Sequence, residues 1–422
     1  MPPPVFVEGR AMQVTVPEAL AAVLSGATPL PAEDLPLDAA LGAVLARDVV
    51  SGEDVPPFTN SAMDGFALRA ADLAGASAAQ PAVLQVVDEV AAGTVGRVPV
   101  GPGLAVRIMT GAPIPPGADT VVPFERTVEA GQGQVGVPVA LKRGANVRAA
   151  GEDVRAGSTV LAAGAVLSPA TLGVLASVGV ARVPVHRRPV VAVVTTGDEL
   201  VDAAERPGPG QIRDSNLPGV MAAVRAAGGV PLAFPRTPDR REAVAEVLAR
   251  ALAAADLVVS SGGVSAGDHD HVNEVLTALG GRPRFLTVRQ RPGHPLAFWE
   301  IGGKPFFGLP GNPVSTLLCF EVYVRPRLRR MLGHRHLWRP EQPAVLPEGF
   351  RKSRDDARMH FVRVALAVGP SGLEARVAGS QGSGVLTTLL RTGGLALVGP
   401  ETAALPPGAT VTVQRLDLPE DH

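Results

Sequence analysis

The string DLVVSSGGVSAGDHDHV places small polar residues and glycines directly after an apolar strand. Ser261, Gly262 and Gly263 end the predicted strand, and Ser265 and Asp270 follow within the same loop. Paired glycines let backbone amides approach a ligand closely, which suits a phosphate or another anion. The histidines interleaved with the aspartates favour solvated loop residues over a metal site, because neighbours along one loop do not converge on one point.

A second string, FGLPGNPVSTLLCFEV, predicts a tight turn that leads from a strand into a helix. Gly311 and Asn312 can adopt backbone angles that other residues avoid, and Pro313 suits the first helical turn. The amides of such a turn, together with the Ser315 hydroxyl, can bind phosphate or carboxylate. A plain strand-to-helix turn without a ligand is an equally open alternative.

Acids in three further strings stand where they could hold a cation or a hydroxyl-rich ligand. VVAVVTTGDELVD sets Glu199 just after a strand, although such acids are also ordinary helix caps. In RTPDRREAV we expect Asp239 at the start of a helix, with Thr237 as its cap and Pro238 in its first turn. In NSAMDGFAL the apolar neighbours of Asp64 indicate a firmly packed loop that presents the acid.

Charge and composition narrow the class of protein. The 422 residues are 46% hydrophobic, yet no uninterrupted apolar run approaches the roughly 18 residues of a membrane span. A net charge of −1 from 39 basic and 40 acidic residues gives no field that would attract nucleic acid or an anionic membrane. The single cysteine, Cys319 in LLCFEV, is expected to be buried and inert. The beginning of the sequence resembles no secretory leader, so we expect a soluble cytoplasmic protein.

The elements that must position these residues fall into four segments. Two helical patterns, PEALAAVLSG and LDAALGAVLARDVV, precede β-like runs such as AVLQVVDEV and TVVPFERTVE. Strands then alternate with helices from VVAVVTTG to DLVVSSGG, which predicts a mostly parallel sheet covered on both faces, with ligands beyond the carboxyl ends of its strands. The last segment, with FVRVALAV, LEARVAG and ATVTVQRL, is β-like again.

We therefore predict a multidomain protein of α/β and β domains, in which one β domain is inserted into another domain. The predicted domains are an N-terminal domain of residues 11–51 and 147–187, an inserted β domain of residues 52–146, a central α/β domain of residues 188–333, and a C-terminal β domain of residues 340–422.

Eight strings occur in order between about Asn60 and Gly384, namely NSAMDGFA, RIMTGAPIPPGADTVVPFE, GEDV, TTGDEL, GQIRDSN, SSGGVSAGDHD, PGNPVS and QGSG. Together they resemble the molybdopterin molybdenumtransferase family, the MoeA-type enzymes that complete molybdenum cofactor assembly. The resemblance implies an elongated N-terminal unit with an inserted β domain, a molybdopterin-binding α/β domain and a C-terminal β domain. It further implies a homodimeric transferase that takes adenylylated molybdopterin and molybdate, uses Mg²⁺ and releases AMP. A molybdopterin adenylyltransferase is the implied protein partner.

Carried over motif by motif, the resemblance assigns two sets of site residues. The implied catalytic residues are Asp64, Thr110, Asp153, Glu199, Asp239 and Asp270. The last three are also the implied ligands of Mg²⁺, whereas the first two are the implied contribution across the dimer. The implied substrate-binding residues are Ser261, Gly262, Gly263, Ser265, Arg291, Pro310, Gly311, Asn312, Ser315, Arg363 and Ser383.

One departure from the family pattern concerns the string RQRPGHP, where relatives commonly show KPGKP. Arg291 and His294 stand in place of two lysines in a chain whose only lysines are Lys142, Lys304 and Lys352. Arginine keeps the positive charge, but arginine and lysine are not equivalent at a bound anion. The departure leaves open the rate and the preference for molybdate over tungstate.

Two other functions are compatible with the same strings. Adenylylation of molybdopterin uses a similar α/β domain, although the NSAMDGFA insertion and the C-terminal β domain have no evident use there. A molybdopterin-binding scaffold without catalysis is the other alternative. The acids Asp64, Glu199, Asp239 and Asp270 argue against a scaffold, because binding alone does not require them.

Overall fold

The computed structural model describes residues 13–262, 271–353, 356–369 and 372–419. The chain divides into two compact units. The major unit comprises Met1–Glu33, Gly42–Ala46 and Val185–His422, and the minor unit comprises Asp34–Leu41 and Arg47–Pro184. The division into four domains is finer than this and stays a prediction.

A six-stranded sheet forms the centre of the major unit. Its strands lie in the order Val230–Ala233, Val190–Thr195, Leu257–Ser261, Lys304–Leu309, Ala297–Ile301 and Arg282–Phe285. The first four strands are parallel, and each of the last two is antiparallel to the strand before it in that order. The alternation of strand and helix patterns therefore predicted the mostly parallel sheet correctly.

Helices cover both faces of this sheet. The helices of the major unit are Val16–Leu24, Asn216–Ala226, Arg241–Ala254, His271–Ala278, Pro313–Cys319, the π-helical turn Phe320–Val324, and Arg325–Met331. Along Val190–Thr195, Val191 and Val193 pack into one apolar cluster, whereas Ala192 and Val194 pack into another. Successive side chains of a strand point to opposite faces, so a continuous apolar strand fills two cores.

A second six-stranded sheet belongs to the C-terminal part of the major unit. Its order is Gln290–Arg291, Met359–Gly369, Gly372–Val377, Glu341–Leu346, Ala409–Arg415 and Gly394–Val398, and the last strand also pairs with Met359–Gly369. That extra pairing closes the sheet into a small barrel around its own apolar core. Shorter elements of the major unit are Gln13–Val14, Leu200–Val201, Ile212–Arg213, Thr287–Val288, Phe350–Arg351, the 3-10 helix Leu386–Arg391, and Ala404–Leu405.

The minor unit is built around a third six-stranded sheet. Its order is Thr120–Pro123, Gly65–Leu68, Leu104–Ile108, Ala82–Val90, Gln134–Val137 and Val128–Glu129. Apolar clusters on its two faces include Ala67 and Val106 on one side and Leu68 and Ala105 on the other. Its other elements are Leu37–Ala39, Val49–Val50, Asn60–Ser61, Ala70–Leu73, Phe124–Arg126, Val147–Arg148, Thr159–Leu161 and the helix Pro169–Ser177. The strands Ala32–Pro36 and Arg182–His186 span the boundaries between the units in sequence.

Three local predictions are wrong. The pattern LDAALGAVLARDVV forms no α-helix but the 3-10 turn Leu37–Ala39 and, at its end, the strand Val49–Val50, because Gly42 adopts a φ of +74° and Leu45 then pairs with Val185 in a β-bridge. The helix after Asp239 begins at Arg241, since Thr237 continues the strand geometry by pairing with Thr196.

The third wrong prediction concerns the turn before Pro313. Asn312 has a φ of −64°, and Gly311 is not among the residues with positive φ, so this turn uses ordinary backbone angles. The prediction that a helix follows and ends at Gly333 is confirmed, because helical segments run from Pro313 to Met331 and Gly333 has a φ of +86°. Cys319 is fully buried, as expected, and burial raises the pKa of its thiol far above the ordinary value.

No helix within the described ranges is long and apolar enough to cross a membrane.

Candidate functional site

Two loops that the sequence singled out meet at the carboxyl edge of the central sheet. Leu257–Ser261 and Lys304–Leu309 are neighbouring parallel strands, and Ser261 lies opposite Leu309. Beyond them the turns touch, because a Cβ built on Gly311 would lie 4.0 Å from the Cα of Gly262. The two turns therefore lie side by side at this edge.

Gly262 is required at this edge for a steric reason. Its φ is +93°, and a Cβ at this position would lie 2.5 Å from the carbonyl oxygen of Thr196. Any side chain would therefore force apart the ends of two adjacent strands. The glycine allows the backbones after Val190–Thr195 and Leu257–Ser261 to approach closely.

Side-chain hydrogen bonds join the turns to the helix Asn216–Ala226. The Asn216 amide donates from Nδ2 to the Ser261 hydroxyl at 2.9 Å and to the Gly311 carbonyl at 2.7 Å. Ser261 in turn donates to the Pro310 carbonyl at 3.1 Å. Ser261 thus ties the turns together in this structure, and its predicted contact with substrate stays a prediction.

Asp214, in the string GQIRDSN, is a residue whose importance the sequence did not reveal. It is buried, accepts a hydrogen bond from the Thr195 hydroxyl at 2.7 Å, and accepts two more from the amides of Asn216 and Leu217. The carboxylate therefore fixes the start of the helix against the end of the strand Val190–Thr195.

Several buried polar atoms at the same edge lack a partner among the described residues. They are Thr196 Oγ1, Ser260 Oγ and Asn216 Oδ1. Buried polar groups almost always find a hydrogen-bond partner, so a polar ligand or water is expected here.

We define the cationic cavity as the cavity of about 370 Å³ bounded by Gln290–Pro295, Pro310, Asn312, Ser315, Arg358 and Gln381–Ser383. The described residues that line it include Arg291, Arg358 and His294 and no carboxylate. Its volume lies within the range of small-molecule sites. The cavity suits an anion, because two guanidiniums line it and no carboxylate among the described lining residues neutralises them.

The RPGHP segment is held from beneath by buried polar contacts. Gln290 is fully buried, accepts a hydrogen bond from the Tyr323 hydroxyl, and donates to the Gly293 carbonyl at 3.1 Å. Gly293 has a φ of +85°, and a Cβ there would lie 2.4 Å from Cys319 Sγ. His294 Nδ1 lies 2.8 Å from the Val288 carbonyl and must donate to it, which leaves Nε2 as the free ring nitrogen.

The QGSG loop forms the opposite wall, and Arg363 holds it in place. The Arg363 side chain is fully buried and donates from Nη2 to the carbonyls of Ser380 at 2.8 Å and Gly382 at 3.2 Å. Gln381 accepts from the Arg363 amide at 2.9 Å and donates to its carbonyl at 3.2 Å. Arg363 supports the wall and is not among the residues that bound the cavity, whereas its Nε and Nη1 atoms are buried without a partner among the described residues. Its contact with substrate stays a prediction.

The helix Pro313–Cys319 and the C-terminal barrel also contact each other at this wall. The amide of Val314, in the first turn of Pro313–Cys319, donates to the Ser383 carbonyl at 3.2 Å. Ser315, in the helix Pro313–Cys319, and Ser383, in the loop after the strand Gly372–Val377, therefore line one cavity.

Two of the three acids predicted to hold a cation, Glu199 and Asp239, lie on two further loops of the same sheet. The Asp239 amide donates to Asp198 Oδ1 at 3.2 Å, which places the loops after Val190–Thr195 and Val230–Ala233 together. The Glu199 carboxylate folds over Gly197, since a Cβ on that glycine would lie 2.5 Å from Glu199 Oε2. Among the described residues no group of three or more potential metal ligands is present. Gly263, Ser265 and Asp270 lie outside the described residues.

Asp64 and Thr110 are brought together in the minor unit, as predicted. Asp64 is exposed, and its Oδ1 accepts hydrogen bonds from the Thr110 amide and hydroxyl, both at 2.7 Å. The hydrogen bond from the Thr110 amide is the larger cause that lowers the pKa of Asp64, followed by the hydrogen bond from the Thr110 hydroxyl. The carboxylate is therefore ionised and held in one orientation by a single residue.

Asp153 lines a different cavity of the minor unit, of about 470 Å³. Its walls also include Glu152, Arg148 and Asn60, whose buried Oδ1 has no partner among the described residues. The predicted roles of Asp64, Thr110 and Asp153 in turnover are not tested by this geometry and stay predictions.

The cationic cavity brings together Arg291, Pro310, Asn312, Ser315 and Ser383 from the predicted substrate-binding set. It adds Arg358 and Gln381, which sequence reasoning missed. Gln381 is the first residue of the QGSG string and could have been found from it. Arg358 stands in DDARMHF, where no local pattern indicates a site.

Comparisons with known proteins agree with this architecture over most of the chain. Residues 14–179 match the MoeA N-terminal region, domains I and II, and residues 192–330 match a probable molybdopterin binding domain. Residues 343–416 match the MoeA C-terminal region, domain IV.

Individual relatives match over similar lengths. Molybdopterin molybdenumtransferase 2 of Mycobacterium tuberculosis is 40% identical over 347 residues, which cover 80% of this chain and 85% of the relative. Molybdopterin molybdenumtransferase of Staphylococcus epidermidis is 33% identical over 400 residues, or 95% of each chain. A solved MoeA protein of Pyrococcus horikoshii superposes with a TM-score of 0.82 at 32% identity, covering 95% of this chain and 98% of that one. The chain therefore belongs to the MoeA family of molybdopterin molybdenumtransferases.

Proposed function

We propose that this protein transfers molybdenum from molybdate to molybdopterin, consuming adenylylated molybdopterin and releasing AMP. The observation that carries the proposal is the cationic cavity. Molybdate is a tetrahedral dianion, and the guanidiniums of Arg291 and Arg358 can each donate charge-assisted hydrogen bonds to its oxygens. The hydroxyls of Ser315 and Ser383 add neutral donors on the other walls.

The organic substrate is assigned to the adjoining carboxyl edge of the central sheet. The unpartnered polar atoms of Thr196, Ser260 and Asn216 support this assignment, because they need a polar ligand or water. A further cavity of about 510 Å³ at this sheet is lined by Met221, Phe234 and neighbouring residues. Its lining combines apolar side chains with Asp202, Asp214 and Arg236, which suits a flat ring system that carries polar edges.

Mg²⁺ is proposed as the cation, held by Glu199, Asp239 and Asp270. The carboxylates of Glu199 and Asp239 suit this ion, because Mg²⁺ prefers carboxylate oxygens and completes its coordination shell with water and substrate phosphate. When bound, the ion would neutralise negative charge on the phosphoanhydride that is broken. The residues' own part is to present carboxylates from loops that contact each other at Asp198 and Asp239.

We also propose a homodimer in which Asp64 and Thr110 of one subunit serve the cavity of the other. The exposure and fixed orientation of Asp64 support this role. Mixing impaired D64N chains with impaired R291Q chains tests it. A mixed dimer holds one composite site in which both residues are unaltered, so it should recover up to about half of the activity of the unaltered dimer. Sites built within one chain predict no recovery, and neither does a mixture of homodimers that were cross-linked before mixing. We further propose a cytoplasmic enzyme that receives its substrate from a separate molybdopterin adenylyltransferase.

The direct test is an incubation of the purified protein with adenylylated molybdopterin, molybdate and Mg²⁺. We expect release of AMP and formation of active cofactor, and both should stop when EDTA removes the cation. Absence of AMP release would refute the proposal. ATP-dependent adenylylation of molybdopterin would instead establish the adenylyltransferase, which the matches to the N-terminal and C-terminal MoeA regions do not favour.

A further inference from the structure

Among the described residues, one carboxylate contacts both arginines of the cationic cavity. Asp356 accepts two hydrogen bonds from Arg358, Nε to Oδ1 at 2.7 Å and Nη2 to Oδ2 at 2.9 Å. Arg291 Nη1 lies 3.5 Å from the same Oδ2. One acid therefore contacts both cationic groups that face the cavity, although Arg291 and Arg358 come from distant parts of the chain.

The exposure of the three side chains shows how they are layered. The Asp356 side chain is only 4% exposed, whereas those of Arg291 and Arg358 are 47% and 37% exposed. Asp356 does not line the cavity, but both arginines do. The carboxylate is thus the inner layer, and the guanidiniums keep their outer N–H groups available for an anion, since each guanidinium has five donors.

Further contacts fix the carboxylate itself. His360 Nε2 lies 2.8 Å from Asp356 Oδ2, and the His360 ring packs edge-on near Phe350 at 6.1 Å between centroids. The Lys352 ammonium donates to the carbonyls of Arg358 at 2.7 Å and Gly399 at 2.6 Å. The strand pairing of Arg291 with His360 anchors the RPGHP segment to the same place.

We propose that Asp356 is a positioning residue that sets the spacing and direction of Arg291 and Arg358 for a tetrahedral oxyanion. This inference rests on the proposed function of the cavity. It also fits arginine at position 291, because a guanidinium can approach the carboxylate with one N–H group and still present others to an anion.

Asp356 has two opposite effects on the affinity for an anion, so the direction in which D356N changes that affinity tests the inference. The carboxylate reduces the positive charge of the wall, so charge alone predicts that D356N binds an anion more tightly. Positioning predicts weaker binding, because both guanidiniums lose their fixed orientation and must be ordered by the anion. We expect the second effect to dominate, with about tenfold weaker binding of molybdate.

The experiment is titration calorimetry of sodium molybdate into the full-length protein and its D356N variant. The matched control is D417N, since Asp417 forms the same two-point contact with Arg415, at 2.7 Å for each bond, away from the cavity. D417N should bind molybdate like the unaltered protein. In turnover, D356N should raise KM for molybdate and leave KM for adenylylated molybdopterin unchanged.

A double-mutant cycle separates positioning from a general loss of structure. In an R291Q background D356N should weaken binding by clearly less than tenfold, because one of the two arginines it acts through is gone. Equal or tighter binding by D356N, or the same loss in both backgrounds, overturns the inference while the cavity assignment stands. No molybdate binding by the unaltered protein overturns the cavity assignment and the inference together.

R358K provides a second variant should D356N fail to fold. It keeps the positive charge but not the two-point contact with Asp356, so we expect molybdate binding to weaken by about tenfold. Binding as tight as in the unaltered protein would contradict the inference.

Discussion

The cationic cavity and the Asp64 loop present opposite charges by different means. In the cavity, Arg291 and Arg358 are backed by a buried carboxylate and by segments that Gln290 and Arg363 fix from within. Asp64 is exposed, and Thr110 alone holds it. The anion site is thus built into a packed interior, whereas the acid depends on local contacts of one loop. The two regions should therefore respond differently to the same kind of substitution.

The largest expected difference between the two regions is in the free energy of unfolding after one glycine in each is replaced by alanine. G262A should reduce the free energy of unfolding by about 3 kcal/mol, since its φ of +93° is strained for alanine and the new Cβ would meet the Thr196 carbonyl at 2.5 Å. G111A, beside Thr110, has a φ of +80° but no atom within 4 Å of its Cβ, so about 1 kcal/mol is expected. Urea unfolding of both variants measures the difference. Equal losses would show that the strand ends are no more tightly packed than the loop.

Removal of one guanidinium tests the cavity directly. R291Q should raise KM for molybdate about 70-fold, because a charge-assisted hydrogen bond contributes about 2.5 kcal/mol. R291K should retain part of the affinity through its charge. The control is R284Q, whose arginine is also partly exposed and pairs with Glu300 at 3.2 Å away from the cavity. An unchanged KM in R291Q would remove Arg291 from the site.

Removal of the exposed acid tests the other region. D64N should lower kcat about 20-fold and leave the unfolding midpoint unchanged, because Asp64 has no buried partner to lose. D88N is the matched control, since Asp88 is an acid of the same unit that is partly exposed and its pKa is also lowered, by hydrogen bonds from the amides of Arg97 and Glu89. If D88N slows turnover equally, the effect does not belong to the Asp64 loop.

The same contrast explains what the sequence could predict. Apolar periodicity predicted the central sheet, and glycine with small polar residues predicted the turns that meet at Gly262 and Gly311. Both signals come from residues that are neighbours in sequence. The contact between Arg291 and Asp356 gives no such signal, because the pairing of Arg291 with His360 creates it only in the folded protein. The wrong prediction of a helix near Gly42 has a similar cause, since the tertiary pairing of Leu45 with Val185 overrides the local helical pattern.

The smallest expected effect concerns the dependence of stability on pH. The pKa of Asp356 lies well below its ordinary value, first because of the hydrogen bonds from Arg358 and then because of that from His360, while burial acts in the opposite direction. A lowered folded-state pKa adds stability above the unfolded-state pKa near 4, and that stability is lost as the pH falls through the folded-state value. At pH 7 we expect D356N to unfold about 1.5 kcal/mol more easily than the unaltered protein, and the difference should shrink as the pH falls from 4 towards 2.

D64N should show almost no such trend, although the pKa of Asp64 is lowered as well, because its exposed carboxylate is screened by solvent. Urea unfolding at pH 7, 5, 4 and 3 separates the two cases. Burial of His360 lowers its pKa, so protonation of this ring reduces stability below about pH 6.5, a change that H360Q should remove. H360Q should also weaken the trend below pH 4, because it loses the hydrogen bond from His360 that helps to lower the pKa of Asp356. Parallel curves for D356N and D64N would mean that Asp356 is held no more firmly than the exposed acid, and the contrast between an interior anion site and a loop acid would then have no energetic basis.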